Sequence, residues 1–245
     1  QDDKVKAFIC TKDLKDDEYI NNHYVIMATK RGQVKKTSLE QYSRPRINGI
    51  NAITIKEDDE LLEAKLTDGN SQVMLALKSG KAIRFEEAKT RPMGRNASGV
   101  RGIRLQHDKD EVIGMVAVND MQSNILVVSS NGYGKRSRLE DYRITNRGGK
   151  GVKTISITEK TGDLVAIKNV DDTNGLMIIN KSGIAIRMAV EDLRVMGRAT
   201  QGVKLINIKD GDSIAAVAKV IHEKDEDQND EELESTEENN TNSEQ

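Results

Sequence analysis

The sequence has a single cysteine, two prolines, no tryptophan and few aromatic residues of any kind. Cys10 has no second cysteine with which to form an internal disulfide, which agrees with a reducing cytoplasm. With only three isolated histidines beside it, the chain offers no spaced ligand set for zinc. No apolar run approaches the roughly 18 residues that span a bilayer, and no basic-then-apolar leader opens the chain. We therefore expect a cytoplasmic protein with no membrane partner, no metal site and an aliphatic core.

Charge is distributed unevenly along the chain, although the formal net charge is only −2. Residues 223–245 contain 11 acidic residues and one basic residue, which leaves 37 basic and 29 acidic residues in residues 1–222. The tail is rich in Glu, Asp, Asn, Ser and Thr and cannot build a core. We expect a basic folded domain over residues 1–222, a disordered acidic tail over residues 223–245, and a polyanionic partner.

A repeat is visible in the turns that follow four apolar runs, at residues 25–28, 73–77, 125–128 and 176–179. Each run leads into a glycine, and these glycines lie 48, 52 and 51 residues apart, at Gly32, Gly80, Gly132 and Gly183. The x-Gly pair at each turn is typical of a two-residue hairpin, because glycine tolerates positive φ. A basic residue follows each glycine after four positions, and these residues are Lys36, Arg84, Arg136 and Arg187.

Each repeat also predicts a later strand, at residues 61–66, 112–118, 164–170 or 213–220, after an acidic turn. Four short strands in about 50 residues match a propeller blade and not a helical solenoid. We therefore expect an all-β, propeller-like array of about four four-stranded blades, centred on Gly32, Gly80, Gly132 and Gly183. The segment Lys4–Cys10 is expected to be the last strand of an earlier repeat.

A second glycine in each repeat ends a loop that is rich in basic residues, at Gly49, Gly99, Gly151 or Gly202. In the last three repeats, arginine stands eight and four residues before this glycine, and a basic residue stands two residues after it. The first repeat has a shorter variant, with two arginines before Gly49. The candidate phosphate-binding residues are Arg44, Arg46, Arg91, Arg95, Arg101, Arg143, Arg147, Lys150, Lys153, Arg194, Arg198 and Lys204.

Stacked repeats would place these loops on equivalent edges, so their charges would form a stripe around the rim. Glycine lets the backbone approach a phosphate, and arginine presents a planar fork that fits it. Because the loops have no aromatic platform, the pattern favours contact with a duplex backbone over base readout or single-strand stacking.

Signals for catalysis are poor. The pattern G-x-x-x-x-G-K-[ST] is absent, and no Ser, His and Asp set or carboxylate pair is marked by spacing. The sequence Gly132-Tyr133-Gly134 lacks the third glycine of a dinucleotide fingerprint and falls in a predicted hairpin. We expect no catalytic residue and no cofactor site in this chain.

Residues 4–222 resemble the C-terminal domain of the A subunit of bacterial DNA gyrase, a β-pinwheel that wraps DNA. The most specific segments are Met27–Thr37, Arg91–Arg95, Asn131–Arg136 and Arg194–Arg198. The resemblance implies a six-bladed ring, of which this chain would supply the last four blades and the tail. In that family a box with the sequence Q-R-R-G-G-K-G, in the first blade, is needed for wrapping. The nearest match, Thr145–Gly151, departs at its first two positions and lies in the third complete repeat, so we expect the box and the first two blades to lie outside this chain.

The resemblance further implies that the intact protein is an ATP-dependent type IIA topoisomerase that introduces negative supercoils. The family's cleavage tyrosine follows an arginine, whereas Tyr142-Arg143 has the reverse order, so that role is not transferred. ATP and Mg²⁺ would act through other domains. Double-stranded DNA, the B subunit and a second A subunit would be the partners, in an A2B2 holoenzyme on the chromosome.

Two alternatives remain open at this point. One is the C-terminal domain of the topoisomerase IV A subunit, a decatenase with a less regular domain of the same kind. The other is a propeller scaffold whose arginines bind an acidic protein.

Deleting residues 223–245 should tighten DNA binding, because a tail with a net charge of −10 would compete with phosphates for the basic rim. Fluorescence anisotropy with a labelled duplex would compare the deleted chain with the full chain. Equal affinities at low salt would contradict a competing tail.

Overall fold

The computed structural model describes residues 4–209 and 211–221, and this part of the chain is almost entirely β-structure. The acidic tail lies outside the described residues. Within them, one short α-helix, α1 (Asp17–Asn22), begins where the side chain of Asp16 accepts hydrogen bonds from the amides of Glu18 and Tyr19. Three short 3₁₀ helices are found at Leu39–Tyr42, Glu87–Lys89 and Leu139–Asp141.

Fifteen strands are assigned in the described residues. They are β1 (Tyr24–Thr29), β2 (Gln33–Ser38), β3 (Leu61–Thr67), β4 (Gln72–Leu77), β5 (Lys81–Glu86), β6 (Val100–Arg101), β7 (Val112–Val118), β8 (Asn124–Ser129), β9 (Tyr133–Arg138), β10 (Val152–Lys153), β11 (Leu164–Val170), β12 (Asn174–Asn180), β13 (Ala185–Ala189), β14 (Val203–Lys204) and β15 (Ile214–Ile221).

The strands form four antiparallel sheets in the order of the repeats, which confirms the all-β, bladed fold. Their strand orders are β3-β1-β2-β6, β10-β5-β4-β7, β11-β8-β9-β14 and β13-β12-β15, and we name them blades 1 to 4. The described part of blade 4 thus has three strands where four were expected. The strands β3, β7, β11 and β15 contact one another in succession, so they form the inner edge, and β6, β10 and β14 lie at the outer edge.

Each outer strand belongs to the repeat that follows its blade. Residues Val100 and Arg101 of the second repeat pair with Val34 and Gln33 of the first, and β10 and β14 pair in the same way with β5 and β9. The expectation that one repeat makes one complete blade is therefore wrong. A two-residue strand gains too few hydrogen bonds to hold itself in place, so the neighbouring blade fixes its position.

The hairpin between β1 and β2 has three residues, and not two as the x-Gly pair predicted. The amide of Gly32 donates to the carbonyl of Thr29 at 3.0 Å, and Gly32 has a φ of +82°. In the described residues, Asp58 is the only non-glycine residue with positive φ, so Arg31 does not adopt the primed-turn conformation. The turn is the three-residue type in which glycine follows the turn itself, and Gly80 and Gly132 repeat it.

Apolar packing joins successive blades. One core cluster contains Ile26 of β1 together with Leu75 and Phe85 of blade 2, all fully buried or nearly so. A second cluster joins Met74 of blade 2 to Val127 of blade 3. Most side chains in these interfaces are aliphatic, as the low aromatic content predicts, and Phe85 and Tyr142 are the aromatic members of the two clusters.

Two of the basic residues four positions after the hairpin glycines bind the next repeat from buried positions. The ammonium of Lys36 lies 2.9 Å from the buried carboxylate of Glu87. The guanidinium of Arg84 donates to the carbonyls of Leu139 and Tyr142, at 2.7 and 2.9 Å. These side chains connect blades and leave no charge at the surface.

Arg136 makes the same kind of connection, with the carbonyl of Leu193 and the carboxylate of Asp172. Arg187 occupies the equivalent position in blade 4 and is exposed. No further repeat covers this strand in the described residues, and β13 is accordingly much more exposed than β2, β5 and β9.

The segment Lys4–Cys10 is not a strand, which contradicts the expectation for it. It runs beside residues 63–66 of β3, and Ile9 packs against the cluster around Val25 and Met27. The ammonium of Lys6 pairs with Glu60 at 2.8 Å.

Replacing Gly80 by alanine should destabilise the chain far more than replacing Gly183. Both have positive φ, at +79° and +88°, so both substitutions incur about 1–2 kcal/mol of backbone strain. A Cβ on Gly80 would lie 2.6 Å from Ile157 and 2.9 Å from the carbonyl of Ile155, whereas Gly183 faces open space. This overpacking should add about 1–3 kcal/mol for Gly80→Ala alone. Urea unfolding followed by circular dichroism measures both losses, and equal losses would refute the account.

Candidate nucleic-acid interface

The three loops that carry most of the candidate residues run along the outer edge of the preceding blade. Each begins with a parallel bridge between its own repeat and the preceding one: Pro92 with Lys36, Ile144 with Arg84, and Val195 with Arg136. The amide that follows each bridge then donates to the carbonyl of the same basic residue, at 2.8, 2.9 and 2.8 Å. The backbone of the loops is therefore fixed at equivalent places on successive blades.

The glycine that ends each loop is selected by packing between blades. A Cβ on Gly99 would lie 2.6 Å from the carbonyl of Val34, and a Cβ on Gly151 would lie 2.6 Å from that of Ala82. Both residues also have positive φ. The close approach that requires glycine here is to the preceding blade, and an approach of this backbone to a phosphate stays a prediction.

Two of the candidate arginines join adjacent loops. Arg147 donates from Nε to the carbonyl of Lys89 at 3.0 Å and from one terminal nitrogen to that of Arg101 at 3.1 Å. Arg198 binds the carbonyls of Asp141 and Lys153 in the same way, at 3.1 and 2.8 Å. Each arginine therefore stands beside a basic residue of the preceding repeat, and the loops form one continuous basic stripe.

The side chains of the other candidates make no hydrogen bond or ion pair within residues 4–209 and 211–221, and all of them except Arg95 are exposed. On the loops and on the short outer strands that follow them they are Arg91, Arg95, Arg101, Arg143, Lys150, Lys153, Arg194 and Lys204. We call these eight residues, together with Arg147 and Arg198, the basic stripe. Its charge is accessible to a ligand.

Arg44 and Arg46 are also exposed, but the structure does not attach them to the stripe. Their loop forms no strand pairing, and a Cβ on Gly49 would meet nothing within 4 Å. The shorter first-repeat variant thus lacks the contacts with a preceding blade that fix the other three loops.

Two buried lysines lie beneath the loops. The side chain of Lys35 is fully buried and donates to the carbonyls of Arg95 and Ala52, the latter at 2.5 Å. Lys135 is 1% exposed and donates to the carbonyl of Gly197 at 2.6 Å and to the hydroxyl of Thr200 at 3.1 Å. Both follow a hairpin glycine by three residues.

Burial lowers the pKa of both ammonium groups. The pKa of Lys35 falls from 10.5 to about 8, with a further lowering effect from the charge of Arg95. Burial likewise lowers the pKa of Lys135 to about 8; the Asp141 carboxylate acts in the opposite direction and Arg198 in the same direction. Neither lysine is among the site residues predicted from the sequence; the signal that could have indicated them is the recurrence of lysine three positions after Gly32 and Gly132.

The middle loop has no such lysine, because Ile83 occupies the equivalent position in blade 2. Gly149 packs over it, at 3.4 Å from its Cδ1 to an added Cβ. A cleft of about 170 Å³ opens there, lined by Ile83, Arg143, Asn146 and Lys150 among others. The three loops thus share a backbone course but differ in what supports them.

The acidic turns before the inner strands bind the hairpins and do not neutralise the stripe. The carboxylate of Asp110 accepts from the amide of Ser79 at 3.0 Å and from its hydroxyl at 2.8 Å. Lys78, in the same hairpin, lies 3.9 Å from Glu111 and 3.7 Å from Asp163. The turn that contains Asp59 supports the Arg31 amide in the same manner, at 2.9 Å.

The chemistry available on these surfaces is the binding of anions. In the described residues, His, Cys, Asp and Glu form no group of three or more that could hold a metal ion. No helix among them is long and apolar enough to cross a membrane.

Comparison with known proteins identifies the family of this arrangement. The family model described as "DNA gyrase C-terminal domain, beta-propeller" matches residues 23–68, 73–119, 123–171 and 176–221, one match for each repeat. The DNA gyrase A subunit of Staphylococcus epidermidis is 44% identical over 225 residues, which are 91% of this chain and 25% of that protein. Its counterpart from Staphylococcus aureus strain MRSA252 is 43% identical over 231 residues, 94% of this chain and 26% of that protein. The chain thus spans about a quarter of the length of these relatives.

Solved structures share the fold. The C-terminal domain of DNA topoisomerase IV superposes with a TM-score of 0.78 at 24% identity, over 88% of this chain and 67% of that one. A DNA gyrase A C-terminal domain superposes with a TM-score of 0.73 at 23% identity, over 82% of this chain and 67% of that one. Fold, repeat and sequence therefore agree, and the chain belongs to the family of DNA gyrase C-terminal domains.

Proposed function

We propose that this chain binds double-stranded DNA along the basic stripe and holds it in a curve. The observation that carries the proposal is the continuity of the stripe, since Arg147 and Arg198 join loops of successive repeats through carbonyls of Arg101 and Lys153. Exposed basic side chains without an acidic partner supply the charge. Loops fixed at equivalent places on stacked blades supply a regular path.

The binding energy would come from phosphates. Smooth bending of a DNA site by 40–90° costs on the order of 1–6 kcal/mol, and several charge-assisted contacts can offset this cost. Arg143 and Arg194 have free guanidinium groups for such contacts. Because phosphate contacts carry no sequence information, the chain should bind DNA with little sequence preference.

The role of the curve would be mechanical. We infer that the chain is part of the A subunit of a gyrase, where it presents a nearby DNA segment for strand passage during ATP-dependent negative supercoiling. The B subunit and a second A subunit would complete the A2B2 holoenzyme, and ATP and Mg²⁺ would act in other domains. The complex would work in the cytoplasm on the chromosome.

The first alternative is that the chain belongs to a topoisomerase IV, whose C-terminal domain has the same fold. A gyrase produces negatively supercoiled DNA and a decatenase produces unlinked DNA. Decatenation needs no wrap of fixed handedness. A protein-binding scaffold is the second alternative. It would have no reason to prefer a duplex long enough to bend.

Removing one free arginine of the stripe should reduce the salt dependence of DNA binding. Each neutralised phosphate contributes a slope of about −0.9 to log K against log salt concentration, so Arg143→Ala or Arg194→Ala should each lower the magnitude by about 0.9. Lys78→Ala is the matched control, because Glu111 and Asp163 already face that charge. Fluorescence anisotropy over a salt series measures the slopes. An unchanged slope in both arginine variants would exclude the stripe as the site.

Ligating a nicked circular plasmid in the presence of the chain should shift its linking number. A curved path of one handedness traps writhe, which remains after ligation and removal of the protein. Gel electrophoresis of the topoisomers should show a shift that grows with protein concentration. Tight plasmid binding without any shift would contradict wrapping, and absence of binding would favour the scaffold.

A further inference from the structure

Lys35 and Lys135, like Arg84, are buried cations without a carboxylate partner in the described residues, whereas two other buried cations have one. Lys36 pairs with the carboxylate of Glu87 at 2.9 Å, and Arg136 pairs with Asp172. No carboxylate in the described part of the chain lies within the 4.0 Å of an ion pair from the ammonium of Lys35 or Lys135. A buried charge normally needs such a partner, because desolvation costs several kcal/mol.

The ammonium groups instead bind oxygens of the loops above them. Lys35 holds the carbonyl of Arg95, and Lys135 holds the carbonyl of Gly197, next to Arg198. Since both lysines are buried and the loop residues are partly or fully exposed, each loop lies between an ammonium and the solvent. An anion on the outer surface of the loop would therefore lie above a positive charge that has no ion-pair partner in the described residues.

We propose that Lys35 and Lys135 are positioning residues for DNA phosphates: each fixes the loop above it through carbonyl contacts, and a phosphate bound there supplies the closely opposed negative charge that no ion pair of the described residues provides. This inference rests on the proposed function and adds residues to it that do not touch the ligand.

The charged groups around each lysine determine how strongly a bound phosphate changes its protonation. Arg95 faces Lys35 from the loop, and the hydroxyl of Tyr42 shares the carbonyl of Ala52 at 3.0 Å. Neither supplies a negative charge at neutral pH.

Lys135 faces Arg198 from the loop and Asp141 from the 3₁₀ helix of its own repeat, beside the buried Tyr142. Its charge is therefore partly compensated by Asp141 in the free protein. The response to DNA should be larger at Lys35 than at Lys135.

A proton should be taken up when DNA binds. In the free protein both lysines have a pKa of about 8, so each is partly deprotonated at that pH. A phosphate overhead favours the charged form and raises the pKa, so the bound state holds more protons. Affinity should stay constant below about pH 7 and fall as pH rises through 8, by up to about tenfold per pH unit for each lysine.

Calorimetric titration of the 245-residue chain with a duplex, at about pH 8, tests this. Tris and HEPES differ in ionisation enthalpy, so the difference between the heats in the two buffers gives the number of protons taken up. The variants are Lys35→Met, Lys135→Met and their combination, with Ile83→Met as the matched control at the equivalent position in blade 2. Thermal melts verify that each variant is folded.

The parent chain and Ile83→Met should take up protons equally, each lysine variant should take up fewer, and the double variant should take up none beyond the contribution of the N-terminal amine. Lys35→Arg separates the effect of the charge from that of proton uptake, because arginine stays charged over the whole pH range of the experiment. It should retain affinity at pH 9 and lose the Lys35 share of uptake. If the methionine variants fail to fold, Lys35→Arg and the dependence of the parent chain's DNA affinity on pH test whether the lysines take up protons.

Two outcomes would overturn the inference alone: DNA binding without proton uptake in the parent chain, or equal uptake in the parent chain and the double variant. In either case the binding of DNA to the stripe would stand. Absence of DNA binding by the parent chain at low salt and neutral pH would overturn the proposed function, and this inference with it.

Discussion

The pairing of each short outer strand with the preceding blade is the interaction on which the rest of the structure depends. The carbonyl of Gly32 accepts the amide of Gly102 at 2.8 Å, and the carbonyls of Gly80 and Gly132 accept those of Thr154 and Leu205 in the same way. The loops before these strands carry the basic stripe. Binding residues and structural joints are therefore the same segments, and the spacing of the charges is set by the stacking of the blades.

The sequence predicted the elements whose signals are local. An apolar run that ends at a glycine turn identified β4 within one residue, and the stretches that follow an acidic turn identified β7 and β11 with their observed bounds. It could not predict which blade receives β6, because two residues carry no periodic pattern and their partner lies almost 70 positions away. The hairpin type was wrong for a related reason: an x-Gly pair fits both the two-residue and the three-residue turn, and only the observed φ of Arg31 distinguishes them.

The sequence predicted the site where basic residues recur at the same position of each repeat. It predicted less where a side chain both belongs to the stripe and binds the preceding repeat. Recurrence identified Arg147 and Arg198 as members of a stripe, but their bonds to carbonyls of the preceding repeat depend on the exchange of strands. The buried lysines escaped notice because lysine in a strand is normally taken as a surface residue. The ammonium of Lys35 is covered in part by Arg95 of the next repeat, and this contact is not local.

The exchange of strands also determines how the domain would bear a load. A pull on the loop around Arg147 acts on β10, which is hydrogen-bonded along its length to β5 and held by the carbonyl of Gly80. Where the pull runs parallel to these strands, the hydrogen bonds are sheared together and not opened one at a time. Tension in a bound polymer would thus be shared by two neighbouring sheets wherever an outer strand pairs with the preceding blade. The edge strand β13 pairs with β12 but has no outer strand beside it in the described residues, and we expect the array to unfold there first under load.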